Sequence, residues 1–277
     1  MSHGCLAPMN DYAAFGIMER NGWSDPARAS GYVKLFASAS DQLIPALLDS
    51  VGATTKLRAL DLCCGQGNAA EALVSRGCHV VGIDFSPAML TLARQRVPTA
   101  TFFEADAQDL PFTDAEFDIV VSNVGVCHVP DQPRALSEIR RVLRPQGRFA
   151  MTVWCGPDGS PCFEVVYGAV KTHGSPHVSL PPGPDFHQFA KRDIAEELLS
   201  KARFSNIELS IIDCGWDVST PESLAEIMER GTVRAATLLA NQPAQNLAAI
   251  RSSLTQAARD RFASGSRWRV PVPAALL

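Results

Sequence analysis

The sequence predicts an α/β protein built on a doubly wound, mostly parallel sheet. Three observations carry that prediction. Short apolar runs at 57–62, 80–84, 101–104 and 117–122 alternate with helical spacings, the pattern of strands covered on both faces. The first run ends in Gly65-x-Gly67, so the chain turns sharply off the strand's carboxyl end into a helix whose N-terminus faces the crevice. The second run delivers Asp84 at its own carboxyl end, where such a sheet binds ligands.

Ahead of the first strand, residues 1–37 intersperse Tyr12, Phe15, Trp23, Tyr32 and Phe36 among Gly, Asn, Ser and Asp. This segment reads as an appendage packed on the body, or as a lid whose aromatic surface keeps water off a bound ligand. Residues 38–51 repeat apolar side chains at helical spacing, with Pro45 in the first turns. After the first strand, 68–76 is a helix closed by Gly77, and Ser86-Pro87 caps another that runs to Arg96. Residues 101–104 are the third strand, 117–122 the fourth, 131–143 a helix and 148–154 the fifth strand, entered by a turn at Arg144-Pro-Gln-Gly147. Residues 162–171 and 193–202 are helices, and the Pro- and His-containing stretch 173–188 between them is a long loop that forms part of a pocket. A strand at 207–218, helices at 221–239 and 243–262 and a last strand at 268–273 complete the chain.

Asp61 is the informative residue of the glycine turn. Gly65-x-Gly67-x-x-Ala70 with an acid about 20 residues on also fits a dinucleotide site. A carboxylate beside a pyrophosphate brings like charges together, whereas beside an ammonium and a sulfonium it attracts. A turn- or helix-capping role for Asp61 stays open, as does a turn role for Asp84 before Ser86-Pro87.

The ordered pieces Leu60-Asp-Leu-Cys-Cys-Gly-Gln-Gly67, Gly82-Ile-Asp-Phe-Ser-Pro-Ala-Met-Leu90, Ala105-Asp-Ala-Gln-Asp-Leu-Pro-Phe112, Phe117-Asp-Ile-Val-Val-Ser-Asn123, His128-Val-Pro-Asp131 and Leu143-Arg-Pro-Gln-Gly-Arg-Phe149 resemble the class I S-adenosylmethionine-dependent methyltransferases, in particular the ubiquinone and menaquinone biosynthesis branch. Cys63 departs from the pattern, standing where the family often has the first glycine of its loop. The resemblance implies a seven-stranded Rossmann-like sheet and S-adenosylmethionine as cofactor. It implies that Asp61 holds the amino acid end, Gly65 and Gly67 allow close approach, Asp84 holds the ribose, Met89 touches the adenosine, Asp106 and Ala107 read the adenine, and Asn123 floors the site. Tyr32, Leu62, Cys63 and Phe85 complete the expected cofactor set. His128, on the loop leaving the fourth strand, is either a base for the acceptor's proton or a loop-ordering residue, with Tyr32 the second base candidate.

In the family the last two strands form a hairpin. Here helices intervene, so the expected organisation is a lid at 1–37, a cofactor-binding core at 38–154, and at 155–277 the rest of the sheet with an inserted helical cap at about 219–264. Leu224, Ile227, Met228, Leu238 and Leu239 are its candidate pocket residues, or plain core.

A net charge of −4 with 25 scattered Lys and Arg leaves no electrostatic footprint for nucleic acid. No apolar run reaches the length of a membrane span and the N-terminus shows no leader pattern, so a cytoplasmic protein is expected. The eight cysteines include no Cys-x-x-Cys pair and read as buried thiols, and His173, His177 and His187 are too irregularly spaced for a metal site. The expected function is methyl transfer to a small, largely apolar acceptor by direct displacement. Two other readings stay open: a pericyclic or lyase-type catalyst or binding protein that uses S-adenosylmethionine without transferring methyl, and a nicotinamide-dependent oxidoreductase. No oligomeric state is implied.

Overall fold

The computed structural model describes residues 12–277, so the expectations for Cys5 and for the start of the lid lie outside the described residues. Helices α1 (Ala13–Ser24) and α2 (Pro26–Gly31) open the chain, with Asp25 capping α2 through its Oδ1 and the Ala27 N–H (2.9 Å). A π-helical turn (Tyr32–Phe36) leads through α3 (Ala37–Ser40) into α4 (Ile44–Ser50), with Pro45 tolerated in the first turn.

The core then alternates β1 (Arg58–Leu62), α5 (Asn68–Ser75), β2 (His79–Asp84), α6 (Pro87–Arg96), β3 (Thr101–Glu104), β4 (Phe117–Asn123), α7 (Gln132–Val142) and β5 (Leu143–Trp154). Beyond it come α8 (Pro161–His173), α9 (Arg192–Lys201), β6 (Ser210–Ile212), β7 (Gly215–Val218), α10 (Ser223–Arg230), α11 (Arg234–Ala240), α12 (Ala244–Arg261), β8 (Ala263–Ser264), β9 (Arg267–Pro271) and β10 (Ala274–Leu276).

Seven strands form one sheet in the order β3-β2-β1-β4-β5-β10-β6. The first five are parallel, and β10 lies antiparallel between β5 and β6. The central strands β1 and β4 are apolar on both faces: Leu60, Leu62, Val120 and Phe117 pack into one core cluster, Ala59, Ile119 and Val121 into another. The β1 and β4 carboxyl ends, where the strand order reverses, open towards the elements that precede the sheet and those inserted late in the chain.

The chain from 207 to 218 is two strands rather than one. β6 pairs with β10 in the main sheet, whereas β7 pairs with β9 in a separate three-stranded antiparallel sheet. The expected last strand at 268–273 is therefore β9 of the small sheet, and the main sheet is closed by Ala274–Leu276 instead. The segment outside the main sheet spans residues 213–273, wider than the 219–264 expected. The expected helix at 221–239 is broken into α10 and α11 at Gly231. At the start of β5, Leu143 pairs with Phe117 before the turn residues, and the register shifts through Gln146 (φ +69°) to Ile119–Arg148.

Candidate functional site

β1 carries Asp61 to its carboxyl end, 1 % exposed, on the wall of a cavity of about 370 Å³. Burial raises its carboxyl to about 7; the Ala70 amide opposes that shift and Asp84 adds to it. Its Oδ2 is sealed from solvent with no hydrogen-bond partner. A buried acid with an idle acceptor oxygen is costly by itself and complementary to an ammonium group. The chain turns next at Cys63, a non-glycine residue at φ +57°, and Gly65, at φ +52°, where an added Cβ would meet nothing within 4 Å. Opposite, Val124 leaves β4 at φ +58° and is held there by its N–H donating to Thr152 Oγ1 (3.0 Å) and Thr152 O (3.1 Å). Backbone strain at two adjoining strand ends, both on the cavity wall, is typical of ligand sites.

Two expected cofactor residues line neither this cavity nor the smaller one beside it. Gly67 (φ +84°) makes the turn, but an added Cβ there would meet Ala93 Cβ at 3.2 Å, so its missing side chain serves the approach of α6 and not of a ligand. Leu62 is fully buried in the core cluster under the sheet.

Asp84 ends β2 and fixes the turn: the Gly65 N–H donates to its Oδ2 and the Ser86 N–H to its Oδ1, both at 2.9 Å. Each oxygen keeps a further lone pair for a ligand hydroxyl. Met89 and Phe85 continue the wall from α6 and its approach. A second cavity of about 240 Å³ shares Cys63, Asp84, Phe85 and His128 with the first and contains Asp106 and Ala107. The turn at 106–109 uses the N–H groups of Gln108 and Asp109 and not that of Ala107. α1 covers this cavity, with Arg20 bridged to Asp106 Oδ2 (3.2 Å) and lying over the Phe85 ring (5.1 Å).

His128 lies between the two cavities, beside a buried carboxylate. Burial would lower its pKa, yet Cys127 and the Glu19 carboxylate outweigh that and lift it to about 10; Nδ1 stands 2.8 Å from Glu19 Oε2. Glu19 is 1 % exposed and also accepts from Trp23 Nε1 (3.0 Å), and the Trp23 ring meets His128 edge-on at 5.4 Å. A ring with a raised pKa beside a buried carboxylate ties α1 to the sheet, which favours the loop-ordering reading of His128 over the base. Tyr32, the second base candidate, lines the larger cavity. Burial pushes its phenol up to about 12 and it is hydrogen-bonded to Ser40 Oγ at 3.0 Å. Asn123 lines the cavity, but its amide is committed: Nδ2 donates to Ser40 O (3.0 Å) and Oδ1 accepts from Thr152 Oγ1 (2.6 Å).

The acceptor side of the larger cavity is largely apolar. Trp154 and Phe163 come from the core side, and Met228, Leu238 and Leu239 from the inserted segment, whereas Leu224 and Ile227 point into the core cluster. Two polar features were not foreseen from the sequence. His187, expected as a loop residue, is 6 % exposed; its Nδ1 donates to Trp154 O (2.9 Å), leaving Nε2 to accept from the cavity-lining Tyr167 OH (2.8 Å). Arg234 opens α11 and enters the cavity wall. Among the described residues, no group of three His, Cys, Asp or Glu is placed to hold a metal, and seven cysteines are free thiols.

A family model described as a methyltransferase domain matches residues 60–151. The chain is 32 % identical over 174 residues to a demethylmenaquinone methyltransferase of Renibacterium salmoninarum, covering 62 % of this chain and 72 % of that one. It is 39 % identical to the enzyme of the same name from Beutenbergia cavernae over 44 % of this chain, and spans about half (51 %) of that relative. The fold superposes with a TM-score of 0.53 on Burkholderia thailandensis 1,6-didemethyltoxoflavin-N1-methyltransferase, crystallised with 1,6-didemethyltoxoflavin and S-adenosylhomocysteine, at 22 % identity over 76 % of this chain and 86 % of that one.

Proposed function

Since the chain belongs to the S-adenosylmethionine-dependent methyltransferases of the ubiquinone and menaquinone type, with S-adenosylmethionine as its cofactor, we propose that it methylates a small, largely apolar acceptor seated in the larger cavity. The acceptor class named for its relatives, a quinone or its reduced form, suits the aromatic and aliphatic walls contributed by Trp154, Phe163, Leu238 and Leu239.

The observation that carries this reading is Asp61: a buried carboxyl with an unpartnered oxygen, at the mouth of an apolar chamber. In the proposed arrangement Asp61 takes the ammonium of the donor, Gly65 lets it approach the backbone, and Asp84 accepts from the ribose hydroxyls. Asp106 and the Ala107 N–H face the adenine once Arg20 gives up the carboxylate. When bound, the donor supplies a methyl on a positively charged sulfur, and the acceptor's lone pair forms the new bond to carbon as the sulfur–carbon bond breaks. The protein's part is alignment and exclusion of water by α1, Trp23 and the inserted helices, because a neutral thioether leaves without acid help.

Calorimetry with S-adenosylhomocysteine and mass analysis of incubations with naphthoquinones and hydroquinones test this. Micromolar binding and a product heavier by one methyl are expected; turnover with the donor unchanged would sink the reading.

A further inference from the structure

Among the described residues no carboxylate pairs with the Arg234 guanidinium. Its Cζ lies 5.2 Å from the ring centre of Phe15 on α1 and 5.3 Å from that of Phe186 on the loop before α9, so two aromatic faces hold the planar group from separate elements. Its Nη1 is closed off from solvent with no hydrogen-bond partner, and the residue lines the larger cavity. Cation–π contact steadies the charge but offers its N–H groups no acceptor. Asp185, beside Phe186 in sequence, is already taken by Lys191 Nζ (2.7 Å) and the His187 N–H (2.9 Å). A pre-oriented guanidinium on a largely apolar wall is complementary to a planar ligand that brings its own negative oxygen.

Building on the acceptor cavity assigned above, we propose that Arg234 is the anchor of the methyl acceptor, and that this acceptor is a planar apolar molecule carrying an anionic oxygen, an enolate, phenolate or carboxylate. The neutral ring packs on the aromatic walls, and the charge it brings meets a guanidinium that no carboxylate of the described residues neutralises. Asp61 and Arg234 then give one cavity two opposite demands, a cation at the donor end and an anion at the acceptor end.

The test uses the full-length protein saturated with S-adenosylhomocysteine and three probes of like size. They are 2-hydroxy-1,4-naphthoquinone, which is an enolate at neutral pH, 1-naphthoate, and uncharged 1,4-naphthoquinone. Wild type is expected to bind at least one anion about tenfold or more tightly than the neutral ring, and which anion wins separates enolate from carboxylate. Arg234→Met, which keeps the apolar stem, is expected to abolish that preference while the neutral ring changes by less than about twofold; Arg234→Lys should restore part of it. S-adenosylhomocysteine affinity should stay within about twofold in both variants. If wild type holds the neutral ring as well as the anions, the anchor is wrong and the apolar-acceptor reading stands. If no probe binds the loaded protein, both fall. Loss of S-adenosylhomocysteine affinity in Arg234→Met would place the guanidinium at the donor's carboxylate and overturn the proposal.

Discussion

Asp61 makes the free protein pay for its own site. With its carboxyl raised to about 7, the folded form holds a proton that the unfolded chain releases near 3.8. The stability this contributes is therefore fully present below about pH 3.8 and lost as pH rises through about 7. An arriving ammonium favours the carboxylate, so binding S-adenosylhomocysteine at pH 6 should expel a proton. Calorimetry in buffers of different ionisation heat should then show buffer-dependent enthalpies, and Asp61→Asn should remove the dependence and weaken binding by about 1.5–3 kcal/mol. For Asp84→Ala the expected loss of cofactor affinity is about 1–3 kcal/mol, part of it through the Gly65 turn that the carboxylate also holds. His128 runs in the next window. Its folded pKa of about 10 against a reference of 6.5 gives stability that is complete below about pH 6.5 and lost as pH rises through about 10. Urea midpoints measured across that range should fall more steeply for wild type than for His128→Asn; equal slopes would dissolve the ion pair with Glu19. Asp61 and Asp84 were legible because each follows an apolar run and precedes a turn, a local pattern. Glu19, His187 and Arg234 were not, because their partners lie far off in sequence: Glu19 meets His128, and Arg234 meets Phe15.

Among the elements, the first five strands and the helices between them matched their apolar spacing within a residue or two at most ends. β1, β2 and β4 are buried on both sides and announce themselves without their neighbours, and β3, an exposed edge strand, still shows as a short apolar run. From residue 207 onward that ceases to hold. Asp213 and Cys214 join β6 to β7, and nothing in their immediate pattern tells that the chain changes sheets there; pairing with β10 or β9 decides it. A close contact joins the segment ahead of the sheet to the inserted one. A Cβ on Gly31 in α2 would stand 2.1 Å from Arg230 O at the end of α10. In an isolated helix Gly→Ala is stabilising, by about 1 kcal/mol. Here Gly31→Ala should instead destabilise by about 1–3 kcal/mol through overpacking, and a thermal melt that rises on substitution would contradict the contact.

For the molecule as a whole, the segment ahead of the sheet and the segment inserted between β6 and β10 meet over the same strand ends. Trp216 Nε1 of the small sheet donates to Phe36 O (2.8 Å), and α1 rests on the sheet through Glu19 and His128. A ligand held beneath α1 is then expected to steady it. Hydrogen exchange should be slowed by S-adenosylhomocysteine at 13–24 more than at 117–123, and Glu19→Gln should quicken exchange in the former stretch alone; uniform protection of both would refute a moving α1. The place of β10 has a consequence for assembly. As the chain is synthesised, β5 and β6 exist before the strand that belongs between them, with residues 213–273 made in the interval. Until Ala274–Leu276 arrives, each presents a bare edge that pairs readily with a neighbouring chain. Late closure of that gap marks the moment at which this protein is most exposed to aggregation, and to the help of chaperones.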